Sequence, residues 1–200
     1  MDKLKRERPS KTEHYLNRAK VAAERGTCLR RKVGAVIIRD DTEVSSGYVG
    51  SPRDTENCID IGSCIRIELG TPSGERYELC RSVHAEQNAI INAARTGAIV
   101  LNGEMYISSE LIGSAYAESP KKMSQTNRPC ALCMKELLNA GIKKVHMRDE
   151  LSGEISSYSS DDLKKWLDAE LRRLGGQRPK AKNSGKPSKA SHKKTATKKR

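Results

Sequence analysis

The chain has 200 residues and a formal net charge of +13, from 38 Lys and Arg against 25 Asp and Glu; this length fits one domain of ordinary size with appendages and leaves little room for two. The excess charge sits at the ends: residues 175–200 carry ten Lys and Arg and no acid, residues 1–11 carry five basic against two acidic side chains, and residues 12–174 balance at 23 against 23. A neutral domain with basic ends does not fit a domain that binds nucleic acid through its own surface. No apolar run approaches the roughly 18–20 residues that a bilayer needs, and none stands behind the charged first residues as a secretory leader would require, so a soluble, cytoplasmic protein is expected.

There is no Phe, and six Tyr and one Trp supply all the aromatic area, so the core must come from Val, Ile, Leu, Ala and Met. Along the chain, residues 12–25 place Tyr15, Leu16, Ala19, Ala22 and Ala23 at helical spacing, with Thr12 to cap the helix and Gly26 to end it. Residues 33–40 (VGAVIIRD) and 43–49 (EVSSGYV) read as the strands of an antiparallel hairpin. From Gly50 to Val83 periodicity disappears, and Cys58, Cys64 and Cys80 are scattered through a stretch too long to lie structureless in a compact domain unless something ties it down. Residues 84–95 read as a helix stopped by Gly97, 104–108 as a strand, 109–128 as a polar insertion, and 143–147 as a strand. Between the insertion and that last strand, residues 129–141 (PCALCMKELLNAG) have Pro at a helix start and Gly at its stop. A final helix is expected over 160–174, with Ser160 as cap, Asp161 and Asp162 at its positive end, Arg172 and Arg173 at its negative end, and Leu163, Trp166, Leu167 and Leu171 as its apolar stripe. The Lys-rich remainder, 175–200, has no periodicity and reads as a disordered tail.

Six cysteines without a secretory leader read as metal ligands or catalytic thiols rather than disulfides. Two of them, Cys130 and Cys133, stand three residues apart at a helix start, and His84-x-Glu86 opens another helix. A pair of cysteines on one helical turn can face one ion, and a His from a neighbouring helix start completes a three-ligand set. Zinc takes N and S ligands tetrahedrally, so three protein ligands leave a fourth position for water, the mark of a catalytic site; a fourth cysteine would instead close the site as a structural one. Helix N-termini favour thiolates. Glu86 is placed to take a proton from the bound water and hand it to a leaving group.

This H-x-E…P-C-x-x-C pattern resembles that of zinc nucleobase deaminases. With VGAVII (33–38), GYVGSP (47–52), PSGERYELC (72–80), HAEQNAI (84–90), AARTG (93–97) and PCALC…NAGIKKV (129–145), residues 12–148 resemble the cytidine/deoxycytidylate deaminase superfamily, and within it the deoxycytidylate (dCMP) deaminases and their late-competence relatives in bacteria. The resemblance implies a three-layer α/β/α fold on a five-stranded mixed sheet, zinc held by His84, Cys130 and Cys133, and Glu86 as proton shuttle. The implied reaction is attack of zinc-activated water on carbon 4 of cytosine, taking dCMP to dUMP and ammonia. It further implies a homo-oligomer, a second, structural zinc on Cys28, Cys58, Cys64 and Cys80, and Arg95 near a substrate or effector phosphate; Arg53, after the Gly-rich turn, could meet a phosphate too. The alternative for the four cysteines is free thiols packed as small apolar groups.

Three departures qualify the likeness. Val49 stands where the family's GYNG turn has a sugar-binding Asn, residues 109–128 interrupt the run from strand to PCxxC helix, and the tail lies outside the family core. Two other functions therefore stand beside nucleotide deamination. One is a deaminase of cytosine or adenine in a polynucleotide anchored by the basic tail; the other is a non-catalytic, zinc-stabilised interaction module.

Overall fold

The computed structural model describes residues 7–72, 75–112 and 128–175; the tail beyond Gly175, the first six residues and most of the 109–128 insertion lie outside them. Helix α1 (Lys11–Ala23) starts from a capping box: Ser10 Oγ accepts from the Glu13 amide at 3.2 Å, and the Glu13 carboxylate accepts from the Ser10 amide at 2.8 Å. The cap is thus Ser10 and not Thr12, because the S-x-x-E pair satisfies two orphan donors at once. Strands β1 (Arg31–Arg39) and β2 (Thr42–Tyr48) form the expected hairpin. Asp40 and Asp41 turn it, both at positive φ (50° and 61°), as a two-residue turn between right-twisted strands demands.

The sheet runs β2-β1-β3-β4-β5, with β3 at Glu104–Leu111, β4 at Lys144–Asp149 and β5 at Ile155–Ser159. β3 and β4 are parallel, and the other neighbours are antiparallel. The two-sided burial of β1 explains its unbroken apolar run. Ala35 and Ile37 face one core with Met105, Ile107 and Val145, while Val36 and Ile38 face the other with Tyr106. α1 covers the second face through Tyr15, Leu16 and Ala19. On the first face lie α4 (Ala85–Thr96), α5 (Ala131–Asn139) and α6 (Ser160–Gly175), so the architecture is the expected three-layer α/β/α. The α6 cap is Ser159 rather than Ser160: Ser159 Oγ accepts from the Asp162 amide at 3.2 Å, and the Asp162 carboxylate accepts from the Ser159 amide at 3.0 Å. His146 is buried against Tyr106 and bonded to Ser157 and Glu104, a structural residue of the α1 face.

Residues 50–83 are not structureless. They hold two four-residue helices, α2 (Cys58–Ile61) and α3 (Ile65–Glu68), and a 3₁₀ turn at Tyr77–Leu79. The ends of the segment are joined by a Gly50–Val83 bridge. Its middle is tied by Arg66, 4% exposed, which donates to the Pro72 carbonyl at 2.8 Å and the Arg76 carbonyl at 3.2 Å.

The seat of α4 matters most for function. Gly47 of β2 lies so close to it that a Cβ there would come within 2.3 Å of the Ala89 amide nitrogen and 2.6 Å of the Ala85 carbonyl oxygen. Ser45, Asn88 and Asn92 add side-chain bonds between the two elements. Gly47→Ala must therefore push α4 off the sheet. We expect a loss of about 1–3 kcal/mol or more in urea unfolding, with weakened metal retention because α4 carries His84 and Glu86.

Candidate metal centre and active site

The site forms where the first turns of α4 and α5 meet beyond the carboxyl ends of the parallel strands β3 and β4, the position at which α/β sheets open a crevice. His84 is the N-cap of α4, placed by the Gly50–Val83 bridge just before it and by the Gln87 side chain, which accepts from the His84 amide at 3.1 Å. Cys130 is the N-cap of α5, with its sulfur 3.5 Å from the Cys133 amide. Gln87 also donates to Glu136 at 2.7 Å, locking the two helices together.

His84 Nδ1 lies 3.3 Å from Cys133 Sγ and 3.5 Å from Cys130 Sγ, and the three donor atoms all fall within 4.8 Å of one another. The donors are one imidazole nitrogen and two sulfurs, a set that suits zinc. A hydrogen bond with Cys133 and the neighbouring His84 pull the Cys130 thiol down to about 4, while its partner Cys133 is pushed up, so the pair shares one proton. Burial pushes His84 down, but the Cys130 hydrogen bond and the charge of Glu86 outweigh it and raise it. Glu86, 6% exposed, is raised by burial despite the nearby imidazole.

The donors open into a cavity of about 860 Å³. Val49, 7% exposed, is part of its wall and presents only methyl groups there. Cys28, Cys58, Cys64 and Cys80 line the cavity as well. Among the described residues no three of those sulfurs come within 4.8 Å of one another, so the structure does not draw them into a set as it does the His84 group. Arg53 is exposed and donates to Asn92 at 3.0 Å, and Arg95 is exposed on the last turn of α4; neither lines the cavity.

Two wall residues have no counterpart in the sequence reading. Arg30 lines the cavity with a buried Nε that has no hydrogen-bond partner among the described residues. Tyr77 packs its ring against His84 at 5.2 Å. The available signal for Tyr77 was its isolation: it is the sole aromatic side chain between Tyr48 and Tyr106.

Residues 9–148 match the family described as the cytidine and deoxycytidylate deaminase zinc-binding region. The chain belongs to this family. The deoxycytidylate deaminase of Schizosaccharomyces pombe is 30% identical over 138 residues, covering 69% of this chain and 37% of that one. ComE operon protein 2 of Bacillus subtilis is 30% identical over 144 residues, covering 72% and 62%. The deoxycytidylate deaminase of Mycobacterium phage D29 is 31% identical over 143 residues, covering 69% and 94%. The chain thus spans little more than a third of the length of its yeast relatives. The dCMP deaminase of cyanophage S-TIM5, solved in complex with dCMP and dUMP, shares the deaminase fold with a TM-score of 0.52 at 24% identity, over 82% of this chain and 94% of that one. The family's zinc-binding region spans His84, Cys130 and Cys133, and β5 and α6 lie beyond it.

The raised Glu86 has a consequence for stability. As pH rises, the unfolded chain loses this proton first, so ionising Glu86 inside the fold costs stability above the ordinary carboxylate range. Glu86→Gln removes that cost. The metal-free variant should melt higher than metal-free wild type at about pH 8, with the gap closing near about pH 4, below the usual carboxylate range. Equal melting temperatures at the higher pH would contradict this.

Proposed function

We propose that the protein is a zinc-dependent hydrolytic deaminase of a free cytosine nucleotide, with dCMP as the leading substrate, releasing ammonia and leaving the uracil nucleotide. The observation that carries this reading is the convergence of His84, Cys130 and Cys133 on one point, with buried Glu86 two residues from the histidine and a cavity of about 860 Å³ in front. Relatives named deoxycytidylate deaminase support the substrate class.

Zinc held by these three residues would supply Lewis-acid activation of water at neutral pH. The chain supplies the rest. The first turn of α5 presents the Cys133 amide to the Cys130 sulfur and so favours its thiolate. Glu86 is a buried carboxyl two residues from His84, and its burial favours the protonated form that a proton carrier must visit. It takes one proton of the attacking water and gives it to the cytosine ring nitrogen, then carries the second proton of that oxygen to the departing amine, as the carbon–nitrogen bond breaks and the carbonyl forms.

Val49 cannot hydrogen-bond a sugar hydroxyl, so recognition of the nucleotide falls more heavily on its phosphate. Arg30, on the cavity wall with a buried N–H that no described residue accepts, offers that contact, whereas Arg53 and Arg95 stand outside the wall. One zinc per chain is the stoichiometry this reading expects; two would place the second on Cys28, Cys58, Cys64 and Cys80.

Ammonia release from dCMP, dCTP, CMP, cytidine, deoxycytidine and single-stranded DNA tests the proposal. We expect turnover of free nucleotide that survives truncation after Gly175 and falls about 10²–10⁴-fold in Glu86→Ala. Arg30→Gln should raise KM for dCMP by about 10–100-fold, the loss of one charge-assisted hydrogen bond, and leave deoxycytidine unchanged. Activity on DNA alone, lost with the tail, would favour the polynucleotide reading. Bound zinc with every substrate inert would favour the interaction module. Light scattering on the same sample tests the homo-oligomer expected from the family resemblance.

A further inference from the structure

The matched family region stops at residue 148, yet the wall of the cavity does not. Glu170 and Arg173 of α6 line it together with the metal ligands and with Arg128, which stands two residues before Cys130. Arg128 is half-buried, and its guanidinium lies 5.5 Å from the centroid of the Trp166 ring of α6. Trp166 is itself held: it meets Tyr158 of β5 edge to face, with centroids 4.6 Å apart and planes at 72°, and it packs against the core that contains Leu163. Attraction to an aromatic face orients the charge without occupying the guanidinium donors as an acceptor oxygen would. Two other cations of this wall are already committed. Arg173 donates twice to Glu170, at 2.6 and 3.1 Å, and Arg66 donates to the Pro72 and Arg76 carbonyls. Among the described residues Arg128 makes no ion pair and no hydrogen bond; the contact that orders it is the tryptophan.

We propose that Arg128 is a specificity-determining residue: its guanidinium hydrogen-bonds the phosphate of the bound nucleotide, and α6 makes this contact possible by holding the side chain at the cavity wall through Trp166. The proposal rests on the nucleotide-deaminase reading given above. It adds to Arg30, which precedes β1, a second cation that approaches from the start of α5, and it makes the C-terminal helix part of the substrate site. A phosphate monoester has acceptor oxygens enough for both forks. An arginine ordered before the ligand arrives also loses less side-chain freedom on binding, which is what the Trp166 contact supplies.

The test reads binding as well as turnover. Trp166 is the one tryptophan of the chain, so its fluorescence reports on the Arg128 contact. The zinc-loaded full chain is titrated with dUMP and with deoxyuridine, which differ in the phosphate alone, and kcat/KM is measured for dCMP and deoxycytidine. In wild type, dUMP should bind more tightly than deoxyuridine and change the Trp166 emission. Arg128→Gln should weaken dUMP about 10–100-fold, abolish the emission change, and lower the preference for dCMP over deoxycytidine by a similar factor, through KM more than kcat. Trp166→Leu keeps the guanidinium but frees it, and should weaken dUMP about two- to fivefold by calorimetry; should that variant fail to fold, Arg128→Gln decides. If Arg128 serves only to tie the start of α5 to α6, Arg128→Gln weakens dUMP and deoxyuridine alike, and that result overturns the proposal. An unchanged dUMP affinity in Arg128→Gln, with a wild type that turns over dCMP, overturns the proposal alone. A wild-type chain that binds no dUMP and turns over no free cytosine nucleotide overturns the nucleotide reading and this proposal with it.

Discussion

Everything functional in this molecule depends on two helix starts being held against each other. α4 brings His84 and Glu86, α5 brings Cys130 and Cys133, and neither helix alone holds a usable site. Their first turns meet because α5 is the crossover between the parallel strands β3 and β4, while α4 is pressed onto β2 at Gly47, where there is no room for a Cβ. The Gln87–Glu136 hydrogen bond then fixes the distance between the helices. The result packs two sulfurs, an imidazole and a carboxylate into a space where burial opposes charge. A divalent cation held there would offset that cost, which would tie the stability of this corner of the fold to the same side chains that the proposed chemistry uses.

Segment 50–83 shows how the other wall of the cavity is built. Four cysteines in and near a stretch of weak periodicity invite a metal staple, yet the segment is closed by different means. A backbone bridge joins Gly50 and Val83, an Asn57–Asp60 pair starts α2, and Arg66 binds carbonyls six and ten residues downstream. A guanidinium is suited to this task because it offers five donors in a rigid plane, enough to gather carbonyls that short helices leave unpaired. The same side chain then meets Tyr77, so the residue that orders the segment also fixes the aromatic ring beside the metal ligands.

What the sequence made legible follows the range of each signal. The two-sided burial of β1 is written in its apolar run, and the positive-φ caps Gly97 and Gly141 mark the ends of α4 and α5. The metal donors were readable because both halves of the set are local patterns, H-x-E and P-C-x-x-C, each tied to a helix start. β5 was not, since ISSYS is serine-rich and lies at the sheet edge with alternate residues exposed, so it shows no apolar run. α2 and α3 are four residues each, too short for a helical period to appear. The caps at Ser10 and Ser159 were one or two residues from the expected positions because the partner carboxylates, Glu13 and Asp162, select them. Arg30 gains its importance from tertiary neighbours, and nothing in its own spacing announces it; Tyr77 is marked in the sequence only by its isolation between Tyr48 and Tyr106.

The charge of the chain takes on a different meaning once the cavity is known. A net +13 concentrated at the ends acts at long range and is screened by salt over about 8–10 Å. Arg30, half-buried, and Arg66, buried, sit instead in the wall of a cavity within a domain whose charges balance, where they are less open to that screening. A small anion inside the cavity feels these two cations far more strongly than it feels the tail. The cations on the cavity wall, and the scarcity of aromatic surface for stacking successive bases, fit the proposed single-nucleotide substrate better than a polymer.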